Sequence, residues 1–433
     1  MQRSWWPVGK GIRLLALLLL CQTAQANEEP FLHAVHTALE RNPQIIAAQA
    51  NLAAARERLP QSRAALLPTV AANLTPSRQV NRWDKGDTTQ QTVIAGLSLS
   101  QILYNRPALI AYEQTAPWIA AYADDLDGMV QTIFFKVVQA AVNGLQAREI
   151  VQLAENNFAL MQRHLKDTES RYRVGEITRT SVSQAEARRA TALSDLTRAK
   201  NDLAVAKAGY FEVVGMPMPD NLALPTLPRS PDEGRLESWL AQLEQRPDLR
   251  AASKRLNIAE LSVQQEDAGH WPTLSLTSSV NHTWQRSSID QMEGYTLGMK
   301  MELPLFSGGM TLSRTAEAQA KRDAQQAEVD RLRRQAYREI EKAKLDLSST
   351  QALALSLQSS VEASRLARDG VEREYRVGTR PALDLLDAEH ELFSYLTDQA
   401  KNRYALQLAR FQMLLAVGRL TLEELVIPAA SGP

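Results

Sequence analysis

Asp384 and Asp387 are the residues of this 433-residue chain whose spacing points most directly to a chemical role. They are three positions apart, so on a helix they lie on the same face. Carboxylates held close together repel one another and attract cations. If copies of the chain met at this face, the aspartates would form stacked acidic rings that select cations or hold an opening under strain. The alternative is a pair of solvated aspartates on a helix surface.

Enzymatic chemistry finds no support in the sequence. His33 and His36 are close enough on one helix to suggest a metal site, but no cysteine or carboxylate cluster completes it. The sequence has no Gly-x-Ser-x-Gly, His-Glu-x-x-His or phosphate-binding motif. We therefore predict no catalytic residue, no metal and no cofactor. Lys+Arg and Asp+Glu are both 49, and this balance does not favour a nucleic-acid partner.

The N-terminus has the pattern of a secretory signal peptide, which we place at residues 1–26. A positively charged region reaches Arg13, an apolar run covers Leu14 to Leu20, and Ala-Gln-Ala stands at residues 24–26. Cys21 is the only cysteine, and a lipoprotein attachment site there is the alternative interpretation. No later stretch has the roughly 20 consecutive apolar residues of a spanning helix.

An internal repeat organises the rest of the chain. Tyr172-Arg173-Val174-Gly175 recurs 203 residues later as Tyr375-Arg376-Val377-Gly378, and Glu186 recurs as Glu389 at the same offset. Leu67-Pro68-Thr69 has its counterpart in Trp271-Pro272-Thr273. We divide the mature chain into a first repeat at 27–224, a Pro-rich linker at 225–234, a second repeat at 235–424 and a tail at 425–433.

Each repeat reads as a helical segment, two strands, a much longer helical segment, a glycine turn and another helical segment. The helical segments have high Ala, Gln, Arg and Glu content and narrow apolar stripes, which suit coiled-coil packing. A long segment of about 66 residues spans about 100 Å as a helix. The predicted long segments are 107–172 and 311–375, and the shorter ones are 31–66, 178–214, 240–266 and 381–417. A helical bundle or coiled-coil spacer is the alternative for these segments alone.

The strands distinguish the chain from a plain bundle, and we predict them at about 68–82, 91–104, 272–285 and 294–306. Apolar and polar residues alternate from Tyr295 to Leu303, the pattern of a strand with two different faces. Four strands cannot close a barrel, and open edges in lipid cost several kcal/mol for each unpaired group. Three copies would supply a 12-stranded barrel. A four-stranded sheet in water is the alternative.

The mature chain resembles the TolC family of outer-membrane factors along essentially its whole length. The resemblance rests on Asn42-Pro43, Leu66-Leu67-Pro68, the Pro-Leu-Phe-Ser-Gly-Gly segment at 304–309, and the paired Tyr-Arg-Val-Gly turns. It implies a homotrimer in the outer membrane of a Gram-negative bacterium, with a 12-stranded β-barrel continued by an α-helical periplasmic tunnel. It further implies an entrance that opens on docking to a periplasmic adaptor and an inner-membrane ABC or other export pump.

The resemblance also assigns residues to that entrance. Its latch and constriction carry over to Tyr375, Arg380, Asp384 and Asp387, and we add Tyr172, Thr180 and Ser181, with the turn glycines Gly175 and Gly378. The family commonly has an aspartate where this chain has Ser181. A serine offers Tyr375 or Arg380 an uncharged hydrogen bond, so we predict a less firmly latched entrance.

The cargo is the remaining question about the duct. The Arg-Thr and Arg-Pro pairs after the turn glycines, with a signal that lacks a good lipoprotein site, favour type I protein secretion. An outer-membrane component of a multidrug or small-molecule efflux pump is the alternative function. A periplasmic coiled-coil adaptor or scaffold is a more distant one.

Overall fold

A computed structural model of the chain describes residues 30–84, 86, 88–225, 236–285 and 291–422. The predicted signal peptide at 1–26, nearly all of the linker at 225–234 and the tail at 425–433 lie outside these residues. The described part consists of long helices and one antiparallel sheet, as the sequence predicts.

The helices follow the repeat. In chain order they are α1 (Pro30–Arg41), α2 (Pro43–Arg56), α3 (Arg58–Ala64), α4 (Arg106–Glu113), α5 (Thr115–Arg173), α6 (Arg179–Val214), α7 (Leu236–Leu240), α8 (Pro247–Asp267), α9 (Met310–Arg376) and α10 (Ala382–Val417). Two short 3₁₀ turns, at Leu243–Gln245 and Ala268–His270, flank α8. None of the described helices combines the length and the apolar character needed to cross a membrane.

Three of the predicted helical segments, 31–66, 107–172 and 240–266, are divided in the structure, and Pro43, Pro117 and Pro247 each lie just after a division. The segment at 31–66 is interrupted at Asn42, whose side-chain Oδ1 accepts a 2.9 Å hydrogen bond from the backbone N–H of Gln44 and so starts α2. The long segment predicted at 107–172 is interrupted at Gln114, between α4 and α5. Pro117 explains this, because its ring clashes with the carbonyl of residue 113 and it lacks an N–H. The 67-residue α9 contains no proline and is unbroken.

The sheet contains β1 (Thr69–Asn81), β2 (Thr88–Tyr104), β3 (Thr273–Gln285) and β4 (Gln291–Glu302). The strands pair in the order β1-β2-β3-β4, each antiparallel to the next. The fourth strand ends four residues before the predicted position 306. Pro304 lies just beyond its end, where a residue without an N–H cannot extend a strand ladder.

The sheet has two chemically different faces, fixed by strand period and register. The apolar face carries Val70, Ala72 and Leu74 of β1, Leu97 and Leu99 of β2, Leu274, Leu276 and Val280 of β3, and Tyr295, Leu297, Met299 and Met301 of β4. The polar face carries Thr69, Asn73, Ser98, Ser100, Thr277, Ser279, Asn281 and Thr296. Val70 and Leu297 are 68% and 69% exposed, so the apolar face is uncovered. A continuous exposed apolar surface of this kind indicates that the face contacts a membrane or another protein chain.

The helices pack side by side. α5 packs along α6, α9 packs along α10, and α8 lies between α5 and α9. The largest apolar core forms where α1 covers α5, with Phe31 and Phe134 fully buried. Arg246, at the start of α8, donates to Glu339 of α9 at 2.8 Å and to the carbonyl of Ala416 in α10 at 2.8 Å. This buried arginine therefore ties three helices of the second repeat together.

Candidate functional site at the helical hairpins

The first hairpin joins α5 to α6 through a glycine in the left-handed conformation. Gly175 has φ of +80°, which residues with a Cβ rarely adopt. Its N–H donates to the Tyr172 carbonyl at 3.0 Å, and the Glu176 N–H donates to the Arg171 carbonyl at 3.0 Å. These bonds satisfy carbonyls at the helix end that would otherwise lack partners. Thr178 then caps α6 in an extended conformation.

The second hairpin, between α9 and α10, repeats this geometry 203 residues later. Gly378 has φ of +79°, and its N–H donates to the Tyr375 carbonyl at 3.0 Å. The Thr379 N–H donates to the Glu374 carbonyl at 3.0 Å, and the Thr379 hydroxyl donates to the same carbonyl at 2.9 Å. Both turn glycines thus have the left-handed conformation, while their position at a channel entrance stays a prediction.

Arg380 bridges the two arms of the second hairpin. Its Nε lies 2.8 Å from Oε2 of Glu374 at the end of α9, and its Nη1 lies 3.2 Å from Oδ2 of Asp384 in the first turn of α10. Asp384 also lies at the N-terminus of α10, where a negative charge is favourable. The side chains are about half exposed, so each pair is weak and screened by salt.

Asp387 has a cationic partner as well. Its carboxylate accepts a hydrogen bond from Arg188 of α6, in the other repeat. Arg380 and Arg188 therefore each pair with one aspartate within a single chain, while the stacked acidic rings, which need further copies of the chain, stay a prediction. The sequence expectation missed the second pairing, since Arg188 is 199 residues away along the chain.

Tyr375 packs against the first repeat rather than against the residues expected. The guanidinium carbon of Arg171 lies 4.9 Å from the centre of the tyrosine ring, a cation–π geometry. Burial raises the pKa of the Tyr375 hydroxyl, Arg171 acts in the opposite direction, and the nearby Asp167 carboxylate adds to the rise. Tyr375 thus links α9 to the last turns of α5.

Ser181 forms its hydrogen bond locally. Its hydroxyl lies 3.3 Å from the Thr178 hydroxyl in the same turn. The expected acceptor role toward Tyr375 or Arg380 does not appear among the contacts of the described residues. Thr180 and Tyr172 are exposed on the same hairpin. The structure therefore brings all candidate entrance residues to the two hairpins but does not join them in one network.

A contact between the repeats that the sequence analysis did not predict lies further along the helices. His164 of α5 and Glu389 of α10 approach with Nε2 2.9 Å from Oε1 and 2.8 Å from Oε2. The Glu389 side chain is only 5% exposed. The internal repeat singles out Glu389 by matching it to Glu186. Because Glu186 is exposed, the repeat alone does not predict that Glu389 is buried and paired.

Apolar and ionic contacts flank this pair. Met161 of α5, Ala192 of α6 and Leu386 of α10 form one buried cluster, so three helices meet there. Further from the hairpins along the same two helices, Arg403 of α10 donates a hydrogen bond to the Glu149 carboxylate of α5. As for metal chemistry, no group of three or more His, Cys, Asp or Glu side chains in the described ranges could hold an ion.

Comparisons with known proteins identify the class of protein to which a chain with this fold belongs. The family model described as Outer membrane efflux protein matches residues 34–215 and 241–419. The chain therefore belongs to the outer membrane efflux protein family. It is an outer-membrane transport channel and not an enzyme, as the sequence analysis predicts.

Relatives named for efflux and relatives named for protein secretion are both similar to most of the chain. The outer membrane efflux protein BepC of Brucella suis is 28% identical over 82% of this chain and 79% of its own length. The alkaline protease secretion protein AprF of Pseudomonas aeruginosa is 26% identical over 96% and 89%, respectively. Among solved structures, the Campylobacter jejuni CmeC outer membrane channel has a TM-score of 0.80 at 17% identity, covering 90% of this chain and 85% of that one. This likeness shows the shared fold.

Proposed function

We propose that three copies of this chain form a passive duct for type I protein secretion, driven by an inner-membrane ABC transporter through a periplasmic adaptor. The observation that carries the trimer is the open sheet. β1 and β4 each have one unpaired edge, and a sheet with free edges and an exposed apolar face is unsuited to lipid as a single copy. Three such sheets joined edge to edge supply 12 strands and leave no edge.

Two features support a polypeptide as cargo. AprF, named for alkaline protease secretion, and PrtF of Dickeya chrysanthemi, named for secretion of proteases, each align with 96% of this chain. The polar face of the sheet, which would line the barrel, carries mainly small hydroxyl and amide side chains such as Thr69, Asn73 and Ser279. Such a lining can exchange hydrogen bonds with a passing polypeptide chain.

Small-molecule efflux is the second candidate function, because BepC is named an outer membrane efflux protein and is 28% identical. The adaptor or scaffold alternative is not retained, since the family is one of outer-membrane channels.

Purification and complementation test these proposals. The detergent-extracted mature protein should have the mass of a trimer and conduct ions in planar bilayers. A monomer without conductance would refute the duct. Expression in a host that lacks its own channel should restore secretion of a protease when the matching ABC transporter and adaptor are supplied. Restored drug resistance without restored secretion would favour efflux instead.

A further inference from the structure

One end of the apolar face differs from the rest. All connections from the sheet to helices leave from one end, near Leu67, Tyr104, Trp271 and Leu303. The opposite end, where β1 turns back to β2 and β3 to β4, faces away from the helices. Because the helices of this family extend into the periplasm, that opposite end lies at the outer leaflet of the membrane.

Charge on the apolar face is confined to this outer end. Within the four described strands, the face carries Arg78, Glu293 and the imidazole of His282, while the remaining positions are apolar or uncharged. His282 Nδ1 lies 3.1 Å from Oε1 of Glu293, so the carboxylate has a partner of its own. Arg78 lies opposite the uncharged Gln91.

Arg78 lines an open surface groove of about 500 Å³, together with Pro76, Gln91, Val93 and Trp284. We call these five residues the outer corner. Pro76, Val93 and Trp284 form one cross-strand row, and Arg78 and Gln91 form the next. Among the described residues no hydrogen bond or ion pair engages Arg78. This exposed guanidinium lines the same groove as the Trp284 indole and presents its donors to solvent or to a headgroup.

The side chains of the outer corner indicate which kind of ligand can bind there. A guanidinium binds phosphate oxygens with two parallel donors. Tryptophan prefers the boundary between hydrocarbon and headgroups, and the apolar rows below Trp284 suit acyl chains. A ligand with both a phosphate and acyl chains therefore suits the outer corner. We propose that the outer corner binds the phosphate of a phosphorylated glycolipid in the outer leaflet of the outer membrane.

This inference is independent of cargo and pump, and it goes beyond the proposed function. It requires only that the apolar face meets lipid with its outer end at the outer leaflet. The bound glycolipid would lie against β1, which is an edge strand in the single chain and would be next to a neighbouring copy in a trimer.

Equilibrium binding to the delipidated, detergent-solubilised full assembly tests the inference. The probes are lipopolysaccharide, its enzymatically dephosphorylated form, phosphatidylglycerol and inorganic phosphate. The wild type should bind lipopolysaccharide more tightly than the other three. Arg78→Gln should weaken that binding about tenfold, because a charge-assisted contact is lost. Arg78→Lys should lie between the two, since an ammonium keeps the charge without the paired donors.

Lys300→Gln is the matched control. It removes one positive charge from the same sheet, but on the polar face and near the helical end, where Lys300 pairs with Glu302 at 2.6 Å. It should bind lipopolysaccharide as the wild type does, and all variants should keep the wild-type assembled mass. Equal binding by Arg78→Gln, or by the dephosphorylated glycolipid, would overturn the proposal. Equal affinity for phosphatidylglycerol or for inorganic phosphate would also overturn it, since the site would then recognise charge and not a glycolipid.

Discussion

His164 of α5 places its Nε2 2.8 Å from Oε2 of the buried Glu389 of α10, and so joins the first repeat to the second. The neighbouring apolar cluster of Met161, Ala192 and Leu386 excludes water from the same region. A carboxylate that is 5% exposed is costly to leave without a donor. The pair therefore fixes how α10 lies against α5.

Removal of the imidazole should reveal this cost. We expect His164→Ala to lower the free energy of unfolding by about 1–3 kcal/mol, because a buried acceptor loses its donor. Denaturant titration of the purified protein, followed by helical circular dichroism, measures the change. Glu186→Gln is the control, since Glu186 is the exposed counterpart of Glu389 in the first repeat and should leave stability unchanged. Equal stability of His164→Ala and wild type would contradict the prediction.

The turn glycine of the second hairpin should resist substitution. Gly378 has φ of +79° with open space around it, so an added Cβ meets backbone strain and no steric neighbour. We expect Gly378→Ala to destabilise by about 1–2 kcal/mol. Gly370 lies inside α9, also in open space, and Gly370→Ala should stabilise by up to about 1 kcal/mol. The same denaturant titration distinguishes them, and a shift of equal sign in both variants would show that strain at the turn is not responsible.

Tyr210 should make stability depend on pH at the alkaline end. Burial raises the pKa of its hydroxyl from 10.0 to about 12. The folded state thus holds this proton more tightly than the unfolded state. The resulting stability is complete below pH 10 and is lost as pH rises toward about 12.

Tyr210→Phe should remove this part of the alkaline loss. The buried hydroxyl has no hydrogen-bond partner in the described part of the chain, so its removal should cost little at neutral pH. Stability curves measured between neutral pH and pH 12 test this, with Tyr337→Phe as the control, because Tyr337 is exposed on α9. An unchanged alkaline loss in Tyr210→Phe would refute the assignment.

The order of elements could be predicted from the sequence because the repeat supplies every segment twice. Strand alternation and helix-forming composition are local signals, and they located the strands to within a few residues. The division at Gln114 was missed although Pro117 is visible in the sequence. A proline can either kink a helix that continues or stand in the first turn of a new helix, so Pro117 alone does not tell which of the two forms.

Contacts across the repeats could not be predicted in this way. Arg380 and Asp384 are four residues apart, so helical spacing alone brings them together. Arg188 and Asp387 are 199 residues apart, and their pairing depends on how α6 and α10 pack at the hairpins. The same holds for His164 and Glu389. Sequence spacing therefore predicts which residues share one helix face and leaves open what that face contacts.

Ser181 tests the latch that was inferred from the family resemblance. An aspartate there would add a negative charge near the N-terminus of α6 and could accept a charge-assisted hydrogen bond from Arg380 or Tyr375. We expect Ser181→Asp to lower the closed-state conductance of reconstituted channels. Ser194→Asp places the same charge on an exposed position further along α6 and should have no effect. An unchanged conductance in Ser181→Asp would argue against a latch at this hairpin.

The two aspartates of α10 should differ in their effect on ion selectivity. Asp387→Ala removes the carboxylate that pairs with Arg188, and no other carboxylate contact to Arg188 appears among the described residues. Asp384→Ala leaves Arg380 paired with Glu374 at 2.8 Å.

We therefore expect Asp387→Ala to shift the reversal potential in a salt gradient toward anions more strongly than Asp384→Ala. Asp398→Ala, further along α10 beside Lys401, is the control and should leave the potential unchanged. High salt should reduce each shift, because the pairs are exposed and screened. Equal shifts for Asp384→Ala and Asp387→Ala would mean that the arginine partners do not set the charge of the entrance, and that the aspartates act as the two bare rings predicted from their spacing.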